Sequence, residues 1–384
     1  MKRNAFILFT ILLTAVTLFS CRTRNSSLPE VSITADSLSW EHKQPCLILL
    51  NNEENVKLPA RIKFRGGMSS KYNKHSFALE LDEKHSLAGF PSDDDYILNA
   101  NYIDKTFMRH KISYDLFREM NPQRNLAAQS AYVTLHLNGN YEGIYVLMQK
   151  VTAKMLGLNK TDPHAVLFKD PPIFRDSLPT DTGNCFGQKF PKWKTEQRTK
   201  DLIAFRQFLL TADNFTFAHN ITKWVDLNNV VDWHLLLLFT NNEDGIVKNF
   251  YLYKTCEEAP FRIAIWDYDH SFGRDCDGEY NMLERTVDIR KNLLLRRLWN
   301  MPEYQAKVKA RWHELRKNGL ISEKKIKKMV EVNDQQIHCE VAKNFERWPA
   351  NAPNYYDDAS YQEEVDLLLE FVHLRLKQLD KILK

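Results

Sequence analysis

The stretch 241–273 constrains the fold of this chain more than any other, and it reads NNEDGIVKNFYLYKTCEEAPFRIAIWDYDHSFG. Two short apolar or alternating runs, 250–254 and 261–266, flank the polar segment TCEEAP, a pattern that predicts a β-hairpin. Three acids and one carboxamide lie at the open end of this hairpin: Asp244 and Asn249 before the first strand, Asp267 and Asp269 after the second. Antiparallel pairing of the strands brings both groups to one edge.

The four side chains at this edge are suited to a divalent cation. Carboxylate and carboxamide oxygens are hard ligands of the kind that Mg²⁺ and Mn²⁺ prefer. A cation also removes the mutual repulsion of clustered carboxylates. We therefore expect Asn249 and Asp267 to bind metal, with Asp269 as a further or alternative ligand.

The spacing of these residues is similar to that of protein kinases. Kinases use an Asp to accept the hydroxyl proton, an Asn five residues later to bind metal, and a second metal-binding Asp after the next hairpin. Asp244, Asn249 and Asp267 follow that order. A DxxxxN match alone is common by chance, and WDYD alone is typical of a strand end with solvated acids, so the prediction depends on the joint pattern. It makes Asp244 the residue that orients or deprotonates the acceptor, with Lys248 neutralising charge on the transferred group.

Five segments of the chain together resemble the CotH family of atypical, kinase-like proteins, and they occur in the family's order. The resemblance implies a bilobal, protein-kinase-like fold and transfer of phosphate from ATP to protein serines. The segments are RGGMSSKYNKHSFALEL at 65–81, NYIDKTFMRHKISYDLF at 101–117, LNGNYEGIYVLMQKV at 137–151, DGIVKNFYLYK at 244–254 and IWDYDHSFGR at 265–274.

The turn RGGMSS at 65–70 is the best candidate for a phosphate-binding loop. Its glycines allow backbone amides to face an anion and its hydroxyls add donors, whereas the alternative is a plain hairpin bend. Lys74 begins the next strand, where kinases place a lysine that contacts phosphates; the alternative is a solvent-facing charge. The family resemblance favours function, so the expected nucleotide-binding residues are Arg65, Gly66, Gly67, Ser69 and Lys74.

Residues 104–120 have the apolar spacing of a helix that would take the place of the kinase regulatory helix. In kinases that helix supplies a Glu to the strand lysine. No Glu lies on the apolar stripe here, because Glu119 stands at its far end. The partner of Lys74 is left open between Asp104, Asp115 and none.

The first 21 residues predict a lipoprotein signal peptide. Lys2 and Arg3 form a basic region, residues 5–19 form an apolar region too short to span a bilayer comfortably, and LFSC at 18–21 resembles a lipobox. Cys21 is then the lipidated first residue of an exported, membrane-anchored chain of the cell envelope. The alternative is an ordinary signal peptide that ends in Cys. Residues 22–30 form a polar tether.

About 360 mature residues exceed the usual size of one domain, and an apolar fraction of 43% allows a large core. We expect an α+β, bilobal chain with a helical C-terminal region. Its parts are a β-rich N-lobe with one helix at 31–150, an insertion or lid at 151–200, a catalytic C-lobe core at 201–300 and helices at 301–384.

Charge and cysteine content argue against two kinds of site. A net charge of +4 over 384 residues is too weak and too interspersed to indicate nucleic-acid binding. The five cysteines after Cys21 show no CxxC spacing, which disfavours zinc. An oxidising compartment would permit a disulfide between Cys256 and Cys276, although the sequence does not establish it.

These observations predict an enzyme that uses ATP and Mg²⁺ or Mn²⁺ to phosphorylate a Ser or Thr hydroxyl of an envelope or secreted protein. Two alternatives stay open. One is a catalytically silent surface lipoprotein that uses the same scaffold to bind protein or glycan. The other is a metal-dependent hydrolase in which Asp244 activates water.

Overall fold

Seven strands from the first 150 residues close into a barrel in the order β1-β2-β3-β4-β5-β7-β6. Neighbours pair antiparallel except β1 and β6, which run parallel. The computed structural model describes residues 28–51, 56–179, 183–274, 286–352, 355 and 357–384. The strands are β1 Glu30–Thr34, β2 Gln44–Asn51, β3 Val56–Arg65, β4 Ser76–His85, β5 Asp93–Asn99, β6 Ser130–Leu137 and β7 Asn140–Gln149.

Alternation of side chains builds the barrel interior. Phe77, Leu79 and Leu81 of β4 are all buried because residues two apart face the same side of a strand. The turn between β6 and β7 is the one that Asn138-Gly139 predicts, since both residues have positive φ angles of 50° and 80°. The strands and this turn therefore follow from local patterns in the sequence, whereas closure of the barrel depends on the long-range pairing of β1 with β6.

A second sheet has four strands in the order β11-β10-β8-β9. The predicted hairpin is present as β10 Phe250–Lys254 and β11 Arg262–Ile265, which pair antiparallel. Strands β8 Val166–Lys169 and β9 Gln188–Phe190 complete the sheet. They come from the segment 151–200 that we expected to be an insertion or lid. Strand β8 pairs with β10 in the middle of the sheet.

Helices pack beside the strands and make up the C-terminal region. Because helices and mainly antiparallel sheets occupy separate parts of the chain, the fold is α+β. The helix predicted at 104–120 begins only at Arg109, because the Asp104 carboxylate accepts hydrogen bonds from the backbone amides of Thr106 and Arg109 and holds a turn there. The helices are α1 Arg109–Met120, α2 Lys200–Thr211, α3 Asn214–Trp224, α4 Leu227–Thr240, α5 Leu293–Trp299, α6 Pro302–Lys317, α7 Glu323–Arg347 and α8 Tyr361–Ile382.

The lipobox and Cys21 lie outside the described residues. In the part of the chain that the structure describes, no helix combines the length and apolar character needed to cross a bilayer. Cys339 is disulfide-bonded. Cys256 carries a free thiol, so the disulfide with Cys276 that we considered is not formed.

Candidate functional site

Two hydrogen bonds between the strand ends hold the open end of the β10–β11 hairpin. The Asn249 side chain donates from Nδ2 to the backbone carbonyl of Asp267 at 3.1 Å, and the amide of Trp266 donates to the carbonyl of Asn249 at 3.0 Å. Asn249 and Asp267 both adopt left-handed φ angles, of 62° and 58°, which Asn and Asp tolerate better than most residues. The Asn249 carboxamide oxygen has no hydrogen bond among the described residues, so it is available to a cation.

Asp244 reaches the same edge from the turn that follows α4. Its Oδ2 lies 2.9 Å from Lys248 Nζ and 3.7 Å from His270 Nδ1. The other nitrogen of His270 lies 3.9 Å from Oδ1 of Asp269. His270, which sequence reasoning did not single out, therefore stands between the expected catalytic Asp and an expected metal ligand. The structure brings the two ends of the hairpin together as the spacing predicted.

Helix α1 holds the loop after β11 with two side chains one turn apart. The Tyr114 hydroxyl accepts a hydrogen bond from the amide of Asp267 at 2.8 Å, and His110 Nδ1 accepts one from the amide of Tyr268 at 2.9 Å. Both side chains are buried. Sequence reasoning missed them, although polar residues four apart on an otherwise apolar helix stripe are a signal that could have found them.

A divalent cation fits the residues at this edge. Oxygen and nitrogen atoms of His110, Asp267 and Asp269 lie within 4.8 Å of one another. Burial and the neighbouring Asp269 carboxylate raise the pKa of Asp267, an effect that the Arg65 guanidinium opposes. The Asp267 side chain is 48% accessible, so a cation can reach its carboxylate from solvent. A hard cation such as Mg²⁺ or Mn²⁺ would stabilise the anionic form of Asp267 and remove its repulsion from Asp269.

His110 is a hydrogen-bond donor at this site rather than a metal ligand. Because its Nδ1 accepts the amide hydrogen of Tyr268, the ring proton must be on Nε2. Nε2 then offers an N–H, with no lone pair for a metal. It has no hydrogen-bond partner among the described residues and lies 3.8 Å from Oδ1 of Asp267. The donor set for a cation is therefore made of oxygen atoms.

Lys74 does not lie where the sequence prediction required. It is only 2% exposed, and its ammonium donates to the carbonyl of Ile144 and to Oδ1 of Asn344 at 3.1 Å. The ring of Tyr145 lies 4.6 Å away, and burial lowers the pKa of Lys74 well below its ordinary value. The ammonium has no surface left for a phosphate, so the expected contact with a nucleotide does not hold in this structure.

Neither acid considered as a partner of Lys74 plays that part. Asp104 pairs with Arg109 at 2.7 Å, and Asp115 pairs with Lys111 at 3.1 Å. Helix α1 therefore contacts the loop after β11 instead of supplying an acid to the strand lysine.

The glycine-containing turn after β3 closes on itself. Gly66 has a φ of 134°, and a Cβ atom there would lie 2.2 Å from the Ser69 hydroxyl oxygen, so the backbone requires glycine. The Ser70 hydroxyl donates to the carbonyl of Gly67 at 2.8 Å. Arg65, in contrast, reaches the hairpin, and its guanidinium carbon lies 5.4 Å from the centre of the Trp266 ring. Of the expected nucleotide-binding residues, Arg65 therefore lies close to Trp266 and to the Asp267 carboxylate.

The barrel, the second sheet and the oxygen-rich edge define an α+β protein with a candidate metal-binding site. Residues 62–379 match the family model described as CotH kinase protein, and the chain therefore belongs to this family. Inner spore coat protein H of Bacillus subtilis (strain 168) is 27% identical over 277 residues, which cover 70% of this chain and 74% of that protein. Membership of the family suggests a kinase-like enzyme.

Proposed function

We propose that this protein is an atypical kinase that transfers the γ-phosphoryl group of ATP to a Ser or Thr hydroxyl of an envelope protein. In this proposal the fold is bilobal and kinase-like, with the barrel and α1 as the N-terminal lobe. The observation that carries it is the convergence of Asp244, Asn249 and Asp267 at the open end of one hairpin, with His270 joining the first residue to the cluster.

The roles of the residues follow from their positions. Asn249, Asp267 and Asp269 would hold Mg²⁺ or Mn²⁺, which when bound neutralises charge on the phosphates. Asp244 orients the acceptor hydroxyl and accepts its proton. Lys248, at 2.9 Å, holds the Asp244 carboxylate in place and contributes positive charge near the transferred group. Phosphoryl transfer needs little covalent chemistry from the protein, so this placement of charge is sufficient.

Location is part of the proposal. The basic start of the chain, its short apolar run and LFSC at 18–21 support export and a lipid anchor on Cys21. The disulfide at Cys339 is consistent with an oxidising compartment, where such bonds persist. Cys21→Ser should prevent lipidation. A mutant that is still processed and recovered in membranes like the parent would overturn the anchor.

The experiment is a transfer assay with radiolabelled ATP, run with Mg²⁺ and with Mn²⁺ on the purified protein and on envelope extracts. We expect label on the protein itself or on an envelope protein, and none with Asp244→Asn. If the parent labels nothing but binds a protein or glycan that Asp244→Asn also binds, the silent binding protein replaces the kinase. Release of inorganic phosphate without any labelled protein would favour the hydrolase.

A further inference from the structure

The ring of Trp266 is flanked by two cations that come from different sheets. Arg65 ends β3 of the barrel, and its guanidinium carbon lies 5.4 Å from the ring centre. Lys169 ends β8 of the second sheet, and its Nζ lies 5.8 Å from the same centre. Trp266 is 3% exposed and directly precedes Asp267. Both cations therefore lie against one ring where the barrel and the second sheet adjoin, beside the acidic cluster of Asp244, Asp267 and Asp269.

Neither cation is neutralised by a close partner. Among the described residues, Arg65 makes no side-chain hydrogen bond or ion pair, and the nearest ion-pair distance of Lys169 is 3.9 Å, to Asp170. That carboxylate already accepts a hydrogen bond from the amide of Phe250 at 3.2 Å. Lys254, which lies in the same sheet, shows the contrast, because it pairs with Asp201 at 2.7 Å. Arg65 and Lys169 are thus held by the Trp266 ring, with their donors open to another anion.

Further positive charge gathers on the same side. Partial burial and the ammonium groups of Lys169 and Lys150 lower the pKa of Lys189, while Asp170 opposes the effect. Lys150 is paired with Asp95 at 2.9 Å, so Arg65, Lys169 and Lys189 carry the positive charge that an anion would compensate. The region offers an anion a concentration of positive charge next to the oxygen atoms suited to a cation.

We propose that Arg65 and Lys169 form the binding site for the phosphate chain of the nucleotide, taking the part that the sequence assigned to Lys74. A planar guanidinium and a compact ammonium that both lie against the Trp266 ring can contact one polyphosphate chain. Identification of the ligand as a nucleotide rests on the proposed kinase function. Binding of a polyphosphate does not, because it requires the two cations and no transfer step.

The test measures binding of inorganic tripolyphosphate and of ATP by titration calorimetry, first without metal and then with Mg²⁺. Lys169→Ala and Arg65→Ala should each weaken tripolyphosphate binding about tenfold, the usual scale for loss of one charged hydrogen bond. Lys169→Arg should stay within about threefold of the parent. The matched control is Lys194→Ala, which removes the same charge from an exposed position in the loop after β9.

The variants are expected to fold, since the Lys169 side chain makes no hydrogen bond among the described residues and its amide still donates to the carbonyl of Gly187 at 2.9 Å. Circular dichroism and thermal unfolding check this. If Lys169→Ala is folded and binds like the parent, or if Lys194→Ala loses as much affinity, the site is wrong. A parent that binds neither probe also overturns it. A parent that binds tripolyphosphate through Lys169 yet transfers no phosphate would leave this site standing and remove the kinase function.

Discussion

The acidic group of Asp244, Asn249, Asp267 and Asp269 and the cationic pair of Arg65 and Lys169 differ in how the chain builds them. The acidic group comes from one short segment, in which the side chain of Asn249 bonds to a residue 18 positions away. The cationic pair is assembled from β3 and β8, which belong to separate sheets. Local spacing is enough to place the first group, because a hairpin fixes its own register. It cannot place the second, because no local pattern says which sheets will meet.

The position of the Lys74 side chain shows the same difference between local spacing and long-range packing. Lys74 lies two residues before β4, near the predicted position, yet the direction of its ammonium is decided by Asn344, 270 residues away. Asn344 also accepts the amide hydrogen of Ile144 at 3.1 Å, so helix α7 binds the strand and the lysine together. Distant partners of this kind set the direction of a long, flexible side chain, so the local sequence does not predict it.

The largest effect is expected in the acidic group, from Asp244→Asn. The change keeps the shape of the residue and removes the base, so transfer should fall by roughly two to four orders of magnitude. Affinity for nucleotide and metal should stay nearly unchanged, because Asp244 is not expected to hold either. Calorimetry and radiolabel transfer measure the two effects separately. Equal losses in both would place Asp244 among the metal ligands.

Asp267→Asn should reduce Mg²⁺-dependent ATP binding by at least about tenfold, because a neutral amide no longer compensates the charge of the cation. Asn suits the left-handed backbone at this position, with its φ of 58°, better than Ala does. Binding of tripolyphosphate without metal should not weaken. A variant with the parent's ATP affinity and metal dependence would remove Asp267 from the site.

The acidic group should also gain metal affinity with rising pH. The ionised Asp267 binds the cation, and its pKa is raised by burial and by Asp269, so affinity should increase as pH rises above the ordinary value of 3.8. Calorimetry in buffers of different ionisation enthalpy should detect proton release on Mn²⁺ binding. A metal affinity that stays constant or falls as the pH rises would contradict the assignment of Asp267 as a metal ligand.

A smaller effect is expected from His110→Asn, because Asn can still accept the amide hydrogen of Tyr268. If the site contains only oxygen ligands, Mn²⁺ affinity should change by less than about threefold, whereas loss of a true ligand costs tenfold or more. Pulsed electron paramagnetic resonance on the parent should detect no directly bound imidazole nitrogen. A coordinated nitrogen signal would make His110 a ligand and overturn the tautomer argument.

The smallest effect is expected from Lys74→Met. The ammonium contacts Ile144 and Asn344 and has no exposed surface, so affinity for tripolyphosphate should change by less than twofold. Thermal unfolding reports the structural consequence independently. A folded variant that loses about tenfold in phosphate affinity would reverse the comparison between Lys74 and Lys169.

Much of the fold could be predicted from the sequence, because alternation and turn residues act locally. The hairpin at 250–265 and the Asn138-Gly139 turn are examples. The side chains that complete the site could not. Tyr114 and His110 contact the hairpin loop across 153 and 158 residues, and Lys169 comes from a strand of four residues that is too short for a recognisable period. Only the packing of α1 and β8 against the hairpin reveals them.

The most direct test of both sites is a crystal structure with Mn²⁺ and a non-hydrolysable ATP analogue, with the metal located by anomalous scattering. We expect a manganese peak between the carboxylates of Asp267 and Asp269, with phosphate oxygens within hydrogen-bond distance of Arg65 and Lys169. Manganese bound by His110 Nε2, or phosphates that contact a displaced Lys74 while Lys169 faces solvent, would contradict this expectation.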